Sequence, residues 1–359
     1  MKINRQQLLS QLNKVLPGIS TGTVQVEGAD TIVFNNSHIY SYNTSISVDV
    51  KAPDGLDLTG VVKAQDFYNC LSKLPSDEID LDVVKSSPEH QYSSWDITDK
   101  NIKVSIKLLP ENNLLEKFNS LVPTEDWTDI DGDDFNKALK ICTIKGNSSP
   151  YSGIYFEGTS AISTNRWIIN KVNVKNNYPK FWLSDNAVSE LLKWNNFTKI
   201  QFNKSWVQFK STDDVIFSVR SLDTGKYPTE KFMPIFNAAL EKNVAFTMDL
   251  KPQFYDAISR AAEFSHTLDE HEVVCVEFGK EVKIKGSRTS GDYEEIVSDV
   301  SVDIPNSKEM FFDFNDFISS EKFFDRIKVI SDTVDFSTTE GVQCILENDC
   351  AVKLFSSMV

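Results

Sequence analysis

The chain has 359 residues, of which 40% are hydrophobic and 25% are charged, with 14 Gly and 12 Pro. This is the composition of a globular protein, and it excludes collagen-like and disordered classes. No run of about 20 apolar residues occurs, so no membrane-spanning helix is expected. The formal net charge of −15 argues at first against a nucleic-acid partner.

One short pattern occurs six times: an apolar strand, a polar hinge and an amphipathic helix. The predicted helical windows are residues 5–16, 63–74, 134–145, 185–199, 251–264 and 315–328. They fall into three pairs, and each pair is followed by segments that alternate apolar and polar residues, as strands with one buried face do. The repeat makes the whole chain one architecture. We therefore predict an α+β fold of three tandem domains, each with two helices packed on antiparallel sheet.

Domain boundaries follow from the repeat. A Pro-bearing acidic stretch precedes the third helical unit, and residues 239–243 precede the fifth. The predicted domains are therefore residues 1–124, 125–242 and 243–359.

Cysteine usage and the N-terminus indicate a cytoplasmic protein. The five cysteines are odd in number and show no CxxC spacing, which is typical of reduced thiols. Polar residues interrupt the first 20 residues at helical spacing, so we expect a helix there and no signal peptide.

No pattern in the sequence indicates catalysis or a metal site. Ser/His/Asp spacing, Gly-rich phosphate loops and HExxH are absent, and His266 and His271 lie in a polar stretch without ligand spacing. The acidic cluster at residues 129–134 fails as a calcium loop because Gly132 is misplaced and Lys140 stands where Glu is needed. We predict a helix N-cap there, no enzyme activity, no metal and no cofactor.

Positive charge is concentrated in parts of the chain, although the chain as a whole is acidic. The six helical windows together carry more Lys and Arg than Asp and Glu, whereas the rest of the chain is strongly acidic. If the helices share one surface, that surface can hold a phosphate backbone. Composition leaves open the alternative that Lys and Arg simply favour helices while Asp favours turns.

Three stretches resemble motifs of one family. Residues 217–228, FSVRSLDTGKYP, are similar to its F-x-x-(K/R)-L-x-(D/E)-G-x-(F/Y)-P motif, and residues 254–262 resemble its fifth helix. Residues 153–157 followed by 163–167 resemble its GhhhE…ATDGHRL. In the order and spacing of these stretches the chain resembles the bacterial DNA sliding clamp, the β subunit of DNA polymerase III, over its full length. Its departures are those of a divergent member, for which a phage origin is one interpretation.

The resemblance implies a non-catalytic processivity factor. Such clamps are ring-shaped homodimers that encircle double-stranded DNA without sequence preference, with helices lining the hole. They tether the replicative polymerase and the clamp loader through short linear peptides. The implied site of action is the nucleoid in the cytoplasm. For each basic residue taken singly, a solvated helix face is an equally good interpretation. The implied channel residues are Arg5, Lys14, Lys63, Lys73, Lys137, Lys140, Lys193, Lys199, Arg260, Lys322 and Arg326.

The resemblance also implies two contact surfaces. Val104 and Ile106 match the apolar pair on the dimer edge of domain 1, and Phe264 matches a contact from domain 3; ordinary strand core is the alternative for the pair. The usual TDGHR is shortened and the C-terminal tail lacks Pro and Arg, so we expect a reshaped peptide pocket. Its implied residues are Tyr151, Thr164, Arg166, Trp167, Pro228, Phe232, Leu354, Phe355, Met358 and Val359.

Two other protein classes compete with this interpretation. A structural β-repeat scaffold that binds no DNA has no need of six similarly placed amphipathic helices. A trimeric clamp of the eukaryotic kind has two domains per chain, whereas three are counted here.

Overall fold

The protein is described by a computed structural model. The residues it describes are 1–20, 28–85, 93–110, 116, 121, 126–144, 149–194, 196–265, 267–268, 271–304, 306–318, 323–330 and 342–357. The chain divides into two compact units. Unit 1 is Met1–Gly132 with Lys193–Ser221, and unit 2 is Asp133–Leu192 with Leu222–Val359. The two predicted domain boundaries stay a prediction.

Runs of strands separate most of the helices along the chain. The helices are α1 Arg5–Val15, α2 Ala64–Lys73, α3 Gly132–Cys142, α4 Asp185–Leu191, α5 Thr229–Glu241, α6 Pro252–Ala262 and α7 Phe314–Ile318. Strands of the first half are β1 Lys2–Asn4, β2 Thr31–Asn35, β3 His38–Tyr42, β4 Ile46–Lys51, β5 Gly60–Lys63, β6 Glu78–Val84, β7 Ser94–Asp99, β8 Ile102–Lys107, β9 Thr128–Asp129, β10 Ile154–Thr164 and β11 Ile169–Leu183. Those of the second half are β12 Phe197–Asn203, β13 Trp206–Ser211, β14 Ile216–Arg220, β15 Val244–Asp249, β16 Thr267–Leu268, β17 His271–Phe278, β18 Val282–Arg288, β19 Gly291–Val297, β20 Lys308–Asp313, β21 Arg326–Ile330, β22 Gln343–Glu347 and β23 Ala351–Ser356.

The six predicted strand–helix repeats are confirmed. β1, β5, β9, β11, β15 and β20 lead into α1, α2, α3, α4, α6 and α7, respectively. Two helical windows were too long. The fourth ends at Leu191, and residues 197–199 already belong to β12; the sixth ends at Ile318, and residues 326–328 lie on β21. β-branched and aromatic residues at the ends of both windows favour strand over helix.

Unit 1 places two helices on antiparallel sheet. An eight-stranded sheet has the order β5-β2-β3-β4-β14-β13-β12-β9, and a four-stranded sheet has the order β1-β6-β7-β8. The β4–β14 pairing joins strands from the first and second predicted domains, from Ile46↔Val219 to Asp49↔Ile216. Phe34, Phe67 and Trp95 form edge-to-face contacts in its core, with ring centroids 5.0–5.8 Å apart.

Helix α1 illustrates how local sequence fixes these elements. The Asn4 side chain accepts a hydrogen bond from the Gln7 backbone N–H at 3.0 Å, which caps the first turn. Leu8, Leu12 and Val15 recur at helical spacing and are fully buried. α1 therefore packs its apolar side on α2 and on strands β3 and β4.

Unit 2 contains the other helices and two further sheets. A six-stranded sheet has the order β10-β11-β23-β22-β21-β15, and in a second sheet β17 pairs with β16, β18 and β20 while β19 pairs with β18. The described strands of both sheets pair in antiparallel orientation. The β11–β23 pairing joins the second and third predicted domains. Gly153 immediately precedes β10 with φ +100°, where a Cβ would lie 2.0 Å from the Leu183 carbonyl oxygen, so this turn requires glycine.

Candidate functional site

The described helices do not carry the excess positive charge expected from the sequence windows. α3 contains Asp133 and Asp134 beside Lys137 and Lys140. α2 and α6 each hold one acidic and one basic residue, and α4 is purely acidic. Much of the predicted excess came from lysines that flank the helices. Among the described helices, α1 alone has a net positive charge, from Arg5 and Lys14. A phosphate-facing surface therefore depends on individual side chains rather than on a general excess of positive charge on the helices.

Arg5 lies in the interior rather than on a helix face. It is 7% exposed, and its guanidinium donates to the carbonyl oxygens of Ser76 at 2.5 Å and Leu71 at 3.2 Å. Leu71 lies in the last turn of α2, whose final carbonyls lack helical partners. Arg5 therefore holds α1 and the end of α2 together, and its placement does not fit a DNA contact.

Several other predicted channel residues, among them Lys14, Lys63, Lys199 and Arg326, form ion pairs within their own unit. Lys14 pairs with Asp213, and Lys63, which immediately precedes α2, pairs with Asp30. Lys199 and Arg326 lie on strands rather than helices, contrary to expectation. Their partners are Asp129 at 3.3 Å for Lys199, and Asp249 and Glu347 at 3.4 and 3.3 Å for Arg326.

The remaining lysines differ in exposure. Lys73, Lys140 and Lys193 are exposed near the ends of α2, α3 and α4. Lys137 is half-buried on α3, where its Nζ donates to the Cys350 sulfur at 3.2 Å. Lys322 lies outside the described residues.

Arg260 on α6 is bound to the strand β19. Its Nε and Nη2 donate to the two carboxylate oxygens of Glu295 at 2.9 and 2.7 Å, and Nε also contacts the Tyr293 hydroxyl at 3.1 Å. Because of the Glu295 hydrogen bond, the pKa of Arg260 is raised and that of Glu295 is lowered. Both groups are therefore charged at neutral pH, and each compensates the other.

Helix α5 covers the six-stranded sheet and creates an aromatic cluster. Phe232, Phe236 and Ala239 recur at helical spacing and are buried on this cluster. The cluster, defined here as the aromatic cluster, comprises Tyr155, Ile162, Ile169, Trp182, Tyr227, Phe232, Phe236, Ala239, Ile330, Ile345 and Leu354, with Tyr151, Met233 and Val352 half-buried at its margin.

Two stacked tyrosines lie inside the aromatic cluster. The rings of Tyr155 and Tyr227 are 4.7 Å apart and nearly parallel, and the Tyr227 hydroxyl donates to the Ile162 carbonyl at 3.3 Å. Burial, together with the nearby Glu157 carboxylate, raises the pKa of Tyr155 to about 12. Both phenols are therefore neutral, and their role here is packing and hydrogen bonding.

The turn between β10 and β11 carries an exposed tryptophan. Asn165 Oδ1 accepts from the backbone N–H groups of Trp167 and Ile168 at 3.0 and 2.8 Å, and Thr164 Oγ1 accepts from the Arg166 N–H at 3.1 Å. Arg166 adopts φ +85°, an uncommon conformation for a residue with a side chain. Its guanidinium lies 5.9 Å from the centre of the Tyr151 ring. Trp167 is 80% exposed.

The structure brings together some of the predicted pocket residues. Tyr151, Phe232 and Leu354 belong to the aromatic cluster or its margin, and Pro228 is the N-cap of α5. Phe355 does not belong there, since alternation along β23 turns it to the other side of the sheet. It packs on Phe312 and Phe317, with ring centroids 5.8 Å away in both cases. Met358 and Val359 lie outside the described residues.

The strands β8 and β19 end their sheets, each pairing with one described neighbour, β7 and β18. On β8, Val104 and Ile106 are half-buried, while Lys103 and Lys107 point to the exposed side. On β19, Asp292 and Glu294 are exposed. The Phe264 ring, 38% exposed, stacks on Tyr293 of β19 at 5.6 Å. Unpaired strand edges are templates for pairing with another chain.

Two further properties bear on function. Across the described part of the chain, no group of three or more His, Cys, Asp or Glu side chains is placed to hold a metal ion. None of the described helices has the length and apolar character needed to cross a membrane.

Sequence reasoning missed helix α5, and with it the residues that organise the aromatic cluster. The predicted helical windows leave residues 200–250 without a helix, whereas α5 spans Thr229–Glu241. The signal was present: Pro228 and Thr229 precede Phe232, Phe236 and Ala239 at positions i, i+4 and i+7. Pro234 within the helix concealed that spacing.

Solved structures provide the comparison, since neither a protein-family model nor a curated protein matches the sequence. The DNA polymerase III β subunit of Pseudomonas aeruginosa is 15% identical, with a TM-score of 0.71 over 100% of this chain and 99% of that one. The β subunit from the DNA polymerase of Streptococcus pyogenes is 18% identical, with a TM-score of 0.72 over 99% of both. The DNA polymerase sliding clamp of Bacillus subtilis is 16% identical, with a TM-score of 0.73 over 100% and 98%. The predicted fold is thus confirmed: the chain has the α+β fold of these clamps, with their three tandem domains.

Proposed function

We propose that this protein is a DNA sliding clamp, a non-catalytic processivity factor that encircles double-stranded DNA as a ring-shaped homodimer in the cytoplasm. The observation that carries the proposal is similarity of fold along essentially the whole chain to sliding clamps of several bacteria. Fold by itself does not determine function. The proposal therefore also rests on the residues of three surfaces: the helix ends, the two strand edges and the aromatic cluster.

The proposed DNA contacts are few and weak. Lys73, Lys137, Lys140 and Lys193 lie on α2 and α3 or beside α4, and their charges attract phosphate irrespective of base sequence. Ion pairing within the protein reduces the contribution of Lys14, Lys63, Lys199 and Arg326. Weak contact suits a protein that must slide along the duplex.

The proposed homodimer pairs the β8 edge of one copy with the β19 edge of the other. Lys103 and Lys107 on β8 face solvent in the single chain, as do Asp292 and Glu294 on β19. Opposite charge on two strand edges favours this pairing over β8–β8 or β19–β19 contact. Two such interfaces, related by a twofold axis, close a ring.

The proposed site for partner peptides is the exposed margin of the aromatic cluster. Trp167, Arg166 and the half-buried Tyr151 and Met233 supply the aromatic, cationic and flexible apolar groups that commonly anchor peptides. We propose that a replicative polymerase and a clamp loader dock here through short linear segments. Phe355 takes no part, because it packs on the opposite side of β23.

Charge reversal tests the DNA-binding part of the proposal. Lys137→Glu with Lys140→Glu should shorten retention on closed circular DNA at unchanged assembly, since both lysines belong to α3. A matched control is Lys204→Glu with Lys280→Glu, two exposed lysines in turns between strands. Equal retention by the two double variants would remove α3 from the DNA-facing surface.

Charge exchange tests the homodimer. Lys103→Glu with Lys107→Glu should dissociate the dimer, because like charges would then oppose Asp292 and Glu294. Adding Asp292→Lys and Glu294→Lys in the same chain should restore it. Sedimentation velocity measures both states. Dissociation without restoration would contradict the proposed pairing of edges.

A non-DNA-binding scaffold is the second candidate, and one observation favours it: the described helices carry no excess of basic residues. A scaffold would show no difference in retention between closed circular and linear DNA, whereas a ring slides off linear ends.

A further inference from the structure

Arg260 on α6 is committed to two residues of β19 that lie on the same side of the strand. The fork of its guanidinium matches the Glu295 carboxylate, with N–O distances of 2.9 and 2.7 Å. Tyr293, two residues earlier, receives the third contact at 3.1 Å, and its hydroxyl in turn contacts Glu295. The planar guanidinium contacts both Tyr293 and Glu295, which point to the same side of β19. It therefore fixes the rotation of β19 about its own axis.

Two apolar features bring α6 close enough for this contact. Gly286 on β18 has no side chain, and a Cβ there would lie 2.3 Å from the Ala261 carbonyl oxygen of α6. Phe264, just after α6, stacks on Tyr293 with an angle of 17° between the rings. Helix α6 and the residues just after it therefore meet β18 and β19 at Arg260, Ala261 and Phe264. Of these three contacts, the one made by Arg260 is charged.

The same contacts argue against a phosphate-binding role for Arg260. Nε and Nη2 of Arg260 already donate to a carboxylate. The negative charge of Glu295 offsets the positive potential of Arg260 beyond the pair. A phosphate group would have to displace Glu295. The inward direction of Tyr293 and Glu295 leaves Asp292, Glu294 and Ile296, the last 51% exposed, on the outward side of the strand.

We infer that Arg260 is a positioning residue for assembly: it holds the edge strand β19 in the orientation that lets a second copy add its β8 strand. This rests on the proposed homodimer. A ring with two interfaces contains Arg260 twice. The free-energy cost of losing the orientation of β19 therefore enters the dimer dissociation constant twice.

The test compares Arg260→Gln, Glu295→Gln and the double variant. We expect each single change to raise the dimer dissociation constant about 30-fold, equivalent to about 2 kcal/mol for two interfaces, with an unchanged melting temperature of the dilute monomer. The double variant should be no weaker than either single one, since both remove the same contact. Sedimentation velocity over a dilution series measures the constants.

Glu295→Gln separates positioning from DNA binding, because it frees the Arg260 charge. With dimer concentration held above the dissociation constant, DNA retention by Glu295→Gln should match wild type or exceed it. Arg260→Lys keeps the charge without the fork and should still weaken the dimer. A dissociation constant within twofold of wild type for Arg260→Gln, with DNA retention lost, would overturn the inference.

Hydrogen exchange tests the inference independently of the ring. In dilute monomer, amides of residues 291–297 should exchange faster in Arg260→Gln than in wild type, because the strand loses its tie to α6. Unchanged exchange there overturns the role of Arg260. A wild-type chain that stays monomeric at every concentration would instead refute the homodimer, while faster exchange in the variant would still support the tie.

Discussion

Replacement of Arg5 by Ala distinguishes a buried structural cation from a DNA-facing one. The side chain is 7% exposed and donates charged hydrogen bonds to the carbonyl oxygens of Ser76 and Leu71. Hydrogen bonds from charged groups contribute about 1.5–3 kcal/mol each. Some of this is recovered when water reaches the carbonyls, and the pairing with exposed Asp77 at 3.5 Å adds little. We therefore expect Arg5→Ala to destabilise the α1–α2 pair by about 2–4 kcal/mol.

Peptide-resolved hydrogen exchange across α1 and α2 measures this loss directly, without assuming that the whole chain unfolds in one step. Lys73→Ala is the matched control, since Lys73 is exposed in the last turn of α2 and should change stability by less than about 0.5 kcal/mol. Arg5→Met retains the apolar stem and separates packing from hydrogen bonding. Protection equal to wild type in Arg5→Ala, combined with shorter retention on DNA, would refute the assignment of Arg5 to the interior.

Three further predictions concern single side chains. His38 contacts Asp49 at 2.7 Å, and this hydrogen bond raises its pKa above 6.5; Asp49→Asn should lower the pKa seen by NMR, and an unchanged value would contradict the pairing. Because the folded pKa is the higher one, the pair stabilises the fold below about pH 6.5 and that contribution is lost as pH rises through the folded pKa. Burial raises the pKa of Cys142 to about 12, so a thiol reagent at pH 8 should leave it unmodified until the protein unfolds; rapid labelling in native protein would contradict its burial. Gly286→Ala places a Cβ 2.3 Å from a backbone carbonyl oxygen of α6 and should lower the free energy of unfolding by denaturant by about 1–3 kcal/mol. The control Gly225→Ala, whose Cβ would lie 3.4 Å from its nearest neighbour, should leave that free energy unchanged. Equal stabilities of the two variants would contradict the close approach.

The strand–helix repeat was predictable because each copy pairs a strand with a helix whose apolar residues recur at helical spacing. Leu8, Leu12 and Val15 required only the periodicity of one helix. The ends of the fourth and sixth helices were not predictable in the same way, since Lys199 pairs with Asp129 and Ile327 pairs with Met248, both distant in sequence. Strand propensity of such segments depends on those neighbours.

Charge was the least predictable feature of the candidate site. The sequence identifies Arg5 and Arg260 as cations on helices, but only tertiary contacts reveal that the first is buried against carbonyls and the second is paired with Glu295. Likewise, Phe355 and Leu354 are adjacent in sequence and occupy opposite sides of one strand. Alternation along β23 predicts that the two side chains lie on opposite faces. Which face adjoins the aromatic cluster depends on the register of β23 with β11, which the sequence does not show.

The central claim is that two copies of this chain close around a hole. Electron microscopy of the purified protein, at a concentration where sedimentation gives the mass of two chains, tests it most directly. We predict twofold-symmetric rings with a central opening wide enough for duplex DNA. Solid particles of two-chain mass without an opening would contradict the sliding-clamp assignment and favour a scaffold that does not encircle DNA.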